Sequence, residues 1–209
     1  MSTRRCVPVI GIVGGIGSGK SSVARRVAER LPVVVIDGDA VGHEVLTLPR
    51  IKEQIRAAFG ECVFNSQGEV DRAAVGRRVF GPQPDQRHAR DQLERIVHPE
   101  IRSEFARRIA AARWSGDCQA VVLDAAVLLE SGWNDLCDTI VFVEVPEDAR
   151  RRRVIEHRGW SDEQFLRRQA SQFPPDGKQA LSHATIDNSG SLDRAAEQLE
   201  EIIRQSSCP

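Results

Sequence analysis

The stretch Gly14-Gly15-Ile16-Gly17-Ser18-Gly19-Lys20-Ser21 decides the fold of this chain. It matches the phosphate-binding pattern G-x-x-x-x-G-K-[ST], the P-loop. The apolar run at 9–13 predicts a buried strand before it, and apolar residues at helical spacing predict a helix after it. In that context the glycines let backbone N–H groups face a polyphosphate, and the helix N-terminus adds partial positive charge. The stretch predicts binding of a nucleoside triphosphate; the alternative is a glycine-rich turn without a ligand.

Two side chains of the P-loop have a direct use in phosphate chemistry. The Lys20 ammonium would neutralise the β- and γ-phosphates, and the Ser21 hydroxyl would be a ligand of Mg²⁺. We therefore expect Mg²⁺ as a cofactor of the bound nucleotide. The residues expected to bind the nucleotide are Gly14, Gly15, Ile16, Gly17, Ser18, Gly19, Lys20, Ser21 and Ser22.

The composition argues against several classes of protein. A net charge of −1 does not suit a general nucleic-acid or membrane-surface binder, and no apolar stretch reaches the ~20 residues that a membrane span needs. The five cysteines form no C-x-x-C spacing, which indicates reduced thiols rather than disulfides or a zinc site. A cleaved signal peptide would remove the P-loop, so we expect none. We expect a cytoplasmic protein without nucleic-acid or membrane partners, and the sequence leaves its oligomeric state open.

Strand-like runs alternate with helical segments along the chain. The runs after the P-loop lie at 33–36, 121–123, 139–145 and 184–186. The alternation predicts an α/β fold in which a parallel five-stranded sheet of the P-loop NTPase type is flanked by helices. The sequence Ser161-Asp162-Glu163-Gln164 is a capping box and predicts a helix start, whereas 174–177 predicts a loop.

The distance between the second and third strands is too long for one crossover helix. We predict a core at about 1–39 and 116–209, with a mostly helical insertion at about 40–115 that binds a second substrate. Within the insertion, Pro99 is expected to end one helix and begin another. A lid that closes over the phosphates is predicted at about 150–180.

Two aspartates follow predicted strands, at the edge of the sheet where ligands bind in such folds. Asp39 lies just beyond the second strand and is a candidate catalytic base that accepts the proton of an acceptor hydroxyl; Asp37 is the lesser candidate. The alternative for Asp39 is a helix N-cap. Asp124 ends the third strand and either holds Mg²⁺ or caps a turn.

Cations and histidines supply the other candidates. The run Arg150–Arg153 follows the fourth strand, and most of it must be solvated surface; we predict that Arg153 and Arg158 stabilise charge on the transferred phosphoryl group. His98 is either a buried connector, which its chemistry favours, or a substrate contact.

With these residues placed, the chain resembles the dephospho-CoA kinase family over nearly its whole length. The segments that match are 11–21, Val35-Ile36-Asp37-Gly38-Asp39, Asp71-Arg72, Val79-Phe80, Ile96-Val97-His98-Pro99-Glu100-Ile101, Leu123-Asp124 with Leu128-Leu129-Glu130, and Ile186-Asp187-Asn188. The resemblance implies that ATP phosphorylates the ribose 3′-hydroxyl of dephospho-CoA, giving CoA and ADP with Mg²⁺. It also implies a P-loop core, a helical CoA-binding domain and a mobile lid.

The resemblance carries roles onto particular residues. Asp39 corresponds to the catalytic base, and Asn188 lies where the family contacts adenine. The residues expected to bind the acceptor are Asp39, Arg72, His98 and Asp124.

The sequence departs from the family pattern at a few positions. Gly38 stands where alanine is usual, and His43 and His157 stand at arginine positions. The segment Asp124–Glu130 is one residue longer than usual and lacks a proline. These departures concern substrate positioning more than the P-loop.

Two other functions remain open at this point. One is a P-loop kinase of another small molecule, a nucleoside or a sugar. The other is a nucleotide-binding switch or a non-catalytic homologue. An Asn-Lys-x-Asp guanine-reading motif does not occur in the sequence, and Lys20, Ser21 and Asp39 are all present together.

Overall fold

A buried strand with the sequence VIGIV, β1 (Val9–Val13), is the middle strand of a parallel sheet. The other strands are β2 (Val33–Asp37), β3 (Ala120–Asp124), β4 (Thr139–Glu144) and β5 (Ala184–Asp187), in the order β2-β3-β1-β4-β5. The structure is a computed structural model that describes residues 7–81 and 83–206. All four strand pairs are parallel, and the predicted α/β fold with five strands is confirmed.

The helices of the described chain lie in the connections between strands and, for the last helix, after the final strand. They are α1 (Lys20–Ala28), α2 (Gly38–Val45), α3 (Pro49–Phe59), α4 (Arg72–Val79), α5 (Pro84–Ser115), α6 (Glu147–Arg158), α7 (Asp162–Ala170), α8 (Pro175–Ala180) and α9 (Leu192–Ser206). Short 3₁₀ helices lie at Glu61–Val63 and Trp133–Leu136. None of the described helices is both long enough and apolar enough to cross a membrane.

The chain divides into two compact units. One contains the described residues up to Gly38 and from Ala106 onward, and the other is Asp39–Phe105. The division falls within α5. The first unit contains the whole sheet and the P-loop, and the second is built from helices.

The core of the first unit lies between the sheet and its helices. Strand residues such as Ile12 and Val141 are fully buried because both faces of a parallel sheet are covered. Helix α1 contributes Val23 and Val27, and α9 presents an apolar face of Ala195, Ala196, Leu199 and Ile203. Burial of these apolar side chains fixes the sheet beneath the P-loop.

The second unit has its own apolar core. Its buried side chains include Val41, Val45, Ile51, Ile55, Phe59, Val75, Ile101 and Phe105. Helix α4 begins with a side-chain cap, because Asp71 accepts hydrogen bonds from the N–H groups of Ala73 and Ala74 at 2.9 and 3.1 Å. Arg72 is therefore the first residue of a capped helix.

Two local expectations were wrong. Pro99 does not separate two helices: α5 is continuous from 84 to 115 with Pro99 in its interior. A proline removes one backbone donor, and the burial of Ile101, Phe105 and Ile109 at helical spacing beyond it favours continuation. The predicted loop at 174–177 is mostly helix α8, because Pro175 occupies a first-turn position, where proline is already in helical geometry.

Candidate active site

The P-loop connects β1 to α1 through glycines that no other residue could replace without strain. Gly17 and Gly19 have φ angles of +79° and +82°. A Cβ on Gly17 would lie 2.5 Å from the backbone oxygen of Arg150, and one on Gly19 would lie 2.6 Å from Asn188 Nδ2. The loop is thus closely packed against Arg150 and Asn188, and this packing holds its backbone in one conformation.

Lys20 begins helix α1 and folds back across the loop. Its ammonium group donates a hydrogen bond to Gly14 O at 3.2 Å. The first turn of α1 contains no acidic side chain, and its N-cap, Gly19, supplies no side-chain cap. The helix N-terminus therefore keeps its partial positive charge beside the Lys20 ammonium, which suits an anion.

Ser18 contributes an unusual hydroxyl inside the P-loop. Its side chain is fully buried, and within residues 7–81 and 83–206 its Oγ has no hydrogen-bond partner. A buried hydroxyl without a partner costs about 1–3 kcal/mol. A phosphate oxygen bound in the loop is the kind of acceptor that would satisfy it.

Asn188 joins the P-loop to the far edge of the sheet. It follows β5, is only 4% exposed, and its Nδ2 donates to Ser18 O at 2.7 Å. Its own backbone oxygen accepts a hydrogen bond from Arg153 Nη2 at 2.8 Å. The structure thus brings Asn188 directly to the P-loop and joins Arg153, another predicted site residue, to Asn188; the contact between Asn188 and adenine stays a prediction.

The four arginines at the start of α6 have four different environments. Arg150 is buried, Arg151 pairs with Asp162, Arg152 is exposed and Arg153 is half-buried beside Asn188. Sequence reasoning missed Arg150, whose Nη1 donates to Ile16 O of the P-loop at 3.3 Å. The one sequence feature that could have indicated burial of Arg150 is its spacing from Val154, which lies four residues later on the same helix face and is also buried.

Arg158, the other predicted lid arginine, lies away from these contacts. It is exposed, and its guanidinium carbon lies 5.4 Å from the centroid of the Trp160 ring. Arg168 covers the same ring at 4.4 Å. These are cation–π distances, so in this structure Arg158 belongs to an arginine–tryptophan cluster, and its role toward phosphate stays a prediction.

Asp124 and Asp37 end neighbouring strands at the same edge of the sheet. They are register partners in the β2–β3 pair, and Asp124 is 7% exposed. Gly38 follows directly, and a Cβ there would lie 2.9 Å from the Ala125 Cβ. An alanine at this position would therefore need Ala125 to shift.

The remaining predicted residues belong to the second unit. Asp39 is exposed and lies within the first turn of α2, so it is not an N-cap. Arg72 is exposed at the start of α4. His98 lies within α5 rather than between two helices, and burial lowers its pKa, with Glu94 opposing and Arg90 adding to the shift. The roles of these three residues stay predictions.

A buried ion pair lies beyond β3 in the first unit. Lys178 of α8 is 1% exposed, and its ammonium lies 2.9 Å from Glu130 Oε1 and donates to Ala126 O at 3.2 Å. The same Glu130 oxygen accepts a hydrogen bond from Phe173 N at 2.9 Å. The pair thus anchors α8 and the chain before it to the segment that follows Asp124.

Comparison with known proteins gives a consistent result. The family model described as dephospho-CoA kinase matches residues 8–194. A relative named dephospho-CoA kinase from Geobacter sulfurreducens is 39% identical over 195 residues, which are 93% of this chain and 96% of that protein. Another of that name, from Carboxydothermus hydrogenoformans, is 34% identical over 200 residues, covering 95% and 94%.

Solved structures show the same fold. TT1252 from Thermus thermophilus is 29% identical, with a TM-score of 0.78 over 97% of this chain and 99% of that one. The dephospho-CoA kinase of Campylobacter jejuni has a TM-score of 0.67 at 18% identity, over 94% and 98% of the two chains. The structural matches support the fold, whereas the family model and the relatives identify the family. The chain therefore belongs to the dephospho-CoA kinase family, and its activity is the ATP-dependent phosphotransfer of that family.

Proposed function

We propose that this chain binds ATP in the P-loop and transfers the γ-phosphate to the ribose 3′-hydroxyl of dephospho-CoA, giving CoA and ADP. The closely packed P-loop, in which Gly17 and Gly19 have no room for a Cβ and Lys20 reaches back to Gly14 O, supports the ATP half of the proposal. Such a loop offers backbone N–H groups and an ammonium to a polyphosphate. Membership of the dephospho-CoA kinase family supports the acceptor.

Each proposed role follows from the chemistry of the side chain. Asp39 accepts the proton of the 3′-hydroxyl while that oxygen forms its bond to the γ-phosphorus, and the bond to the β,γ-bridging oxygen breaks to release ADP. Lys20 holds the β- and γ-phosphates. Arg153 and Arg158 offset negative charge on the transferred group, and Asn188 contacts the adenine.

Ser21 and Asp124 are the residues that would hold Mg²⁺. Both supply oxygen, the ligand atom that Mg²⁺ prefers, and the Asp124 carboxylate lies at the edge of the sheet beside Asp37. In the part of the chain that the structure describes, no group of three or more His, Cys, Asp or Glu could hold a metal alone. This suits an ion that takes most of its ligands from phosphate and water. When bound, Mg²⁺ neutralises charge on the phosphates.

The acceptor is assigned to Asp39, Arg72, His98 and Asp124, with the helical second unit as its principal binding unit. An exposed guanidinium such as Arg72 suits a phosphate group of the acceptor. Burial lowers the pKa of His98, so a neutral imidazole would offer a hydrogen bond rather than a charge. We assign the reaction to the cytoplasm, which the free thiols of Cys62, Cys118 and Cys137 support.

The direct test is ADP release by the purified protein with ATP and Mg²⁺. Dephospho-CoA is the test acceptor, and adenosine and shikimate are the controls. We expect turnover with dephospho-CoA alone, with CoA identified by mass. Turnover with a control acceptor in place of dephospho-CoA would exclude the proposed substrate while leaving the kinase assignment intact.

Replacement of Asp39 tests the proposed base. Asp39→Asn should lower kcat by about 10²–10⁴-fold, because the amide cannot accept the proton, while ATP binding is largely kept. Lys20→Ala should instead weaken both ATP binding and turnover. Asp37→Asn is the matched control, two residues away, and should lose far less activity. Unchanged kcat in Asp39→Asn would exclude Asp39 as the base.

A further inference from the structure

Arg150 is a buried arginine that the proposed reaction does not use. It lies in the first turn of α6 and is 4% exposed. Its Nε donates to Val145 O at 3.2 Å, and its guanidinium carbon lies 5.9 Å from the centroid of the buried Phe165 ring. A buried guanidinium is retained only when hydrogen bonds and charge compensate for its desolvation, so its partners indicate its use.

The first group of partners belongs to the P-loop. Arg150 Nη1 donates to Ile16 O at 3.3 Å. A Cβ on Gly15 would lie 2.5 Å from that same nitrogen, and one on Gly17 would lie 2.5 Å from the backbone oxygen of Arg150. Arg150 thus packs against three successive residues of the loop, with its side chain on Gly15 and Ile16 and its backbone on Gly17.

The Ile16 contact bears on the direction of the loop's dipoles. A peptide unit is planar, so holding the Ile16 carbonyl toward Arg150 also sets the direction of the next N–H group, that of Gly17. Phosphate binding by a P-loop depends on such N–H groups facing the ligand. Arg150 therefore fixes loop geometry without itself occupying the phosphate position.

The second group of partners belongs to helix α7. Arg150 Nη1 donates to Gln169 Oε1 at 3.0 Å, and Gln169 Nε2 donates to Glu147 Oε2 at 3.1 Å. Glu147 in turn lies 3.6 Å from Arg150 Nη2. These three side chains form a closed ring of contacts, and Arg150 is the member that also reaches the P-loop.

We propose that Arg150 is a positioning residue for ATP binding, which holds the Ile16 carbonyl of the P-loop and couples the loop to helix α7 through Gln169. The ligand class is the polyphosphate of a nucleoside triphosphate, and the proposal rests on the proposed function for that assignment. Lysine should not replace Arg150, because a single ammonium lacks the planar fork that reaches Val145, Ile16 and Gln169 together.

The test measures ATP affinity by titration calorimetry in the absence of acceptor. Arg150→Lys should raise the Kd for ATP roughly tenfold to a hundredfold, the effect of losing charge-assisted hydrogen bonds. Arg152→Lys is the matched control, because Arg152 lies two residues after Arg150 on the same helix and is exposed. The Kd of this variant for ATP should stay within about twofold of the wild-type value.

Gln169 provides a second, independent variant. Gln169→Ala should raise the Kd for ATP roughly threefold to tenfold, and Arg167→Ala on the same helix is its control. In Arg150→Lys/Gln169→Ala the loss of affinity should be smaller than the product of the two single losses, because the second change breaks a coupling that the first has already removed.

The results separate positioning from a purely structural role. A structural role alone would lower the unfolding midpoint of the nucleotide-free protein and leave the Kd for ATP unchanged, and that result for Arg150→Lys would overturn the proposal. If Arg150→Lys does not fold, an unchanged Kd in Gln169→Ala overturns it. Because calorimetry needs no turnover, failure of the dephospho-CoA assay would not be confused with failure of this inference.

Discussion

The buried pair of Lys178 and Glu130 gives a prediction whose size follows from the structure. We replace Lys178 with methionine, which has similar length and no charge. The ammonium is 1% exposed and contacts both Glu130 and Ala126 O, so its loss leaves a carboxylate with Phe173 N as its one remaining partner among the contacts described above. A charge left in that state is strongly destabilising.

The expected loss can be placed within the known range. Removal of one partner of a buried ion pair costs about 3–5 kcal/mol of unfolding free energy. The Glu130 side chain is 18% exposed, so water partly compensates and the lower end, about 3 kcal/mol, applies. For a chain of this length, about 1 kcal/mol shifts the unfolding midpoint by about 2–4 °C, so Lys178→Met should unfold about 6–12 °C lower.

Urea and thermal unfolding followed by circular dichroism measure the effect. Arg167→Met is the matched control, because Arg167 pairs with Glu163 on an exposed helix face, and it should cost under about 0.5 kcal/mol. In Lys178→Met/Glu130→Gln the charge is gone while an oxygen remains to accept from Phe173 N, so at least half of the stability should return.

Two results would refute the reasoning. A loss below about 1 kcal/mol in Lys178→Met would mean that Glu130 is solvated well enough without its partner. A double variant as unstable as the single one would mean that the loss comes from the missing donor to Ala126 O, or from side-chain packing, rather than from the unpaired charge.

Two further predictions concern titratable groups. Burial lowers the pKa of His98 below its usual 6.5, so the folded state favours neutral imidazole; the stability that this contributes is present above pH 6.5 and is lost as the pH falls through the lowered pKa. Urea unfolding above and below pH 6.5 should show that acidification lowers the unfolding free energy less in His98→Gln than in wild type. An equal decrease in the two proteins would contradict the assignment. Burial also raises the pKa of Cys137 to about 12, so at pH 8 only about one molecule in ten thousand is thiolate there. Peptide mapping after maleimide treatment of the native protein should find exposed Cys62 modified well before Cys137, and comparable rates would exclude this picture.

Sequence patterns predicted the features that depend on neighbouring residues. The P-loop, the five strands and the capping box at Ser161 are local, because glycine content, apolar runs and side-chain caps act within a few residues. The position of Asp124 at the edge of the sheet also followed, since a parallel sheet places all strand ends on one side.

Where propensity and burial disagreed, burial decided. Pro99 predicted a helix boundary, yet α5 continues through it with apolar residues buried beyond the proline. The stretch at 174–177 carried turn residues, yet α8 forms there and Lys178 is buried in it. Local preference is worth a few kcal/mol at most, and tertiary packing routinely exceeds it.

The sequence by itself determined that this chain has a P-loop and a parallel sheet, and it predicted the side chains for phosphate transfer. Only the tertiary structure decided what holds the loop in shape. Asn188 and Ser18 are 170 positions apart in sequence, and Arg150 and Ile16 are 134 apart, yet each pair is hydrogen-bonded. No local pattern encodes such pairs, because their geometry exists only after the sheet has brought the carboxyl ends of distant strands to one edge.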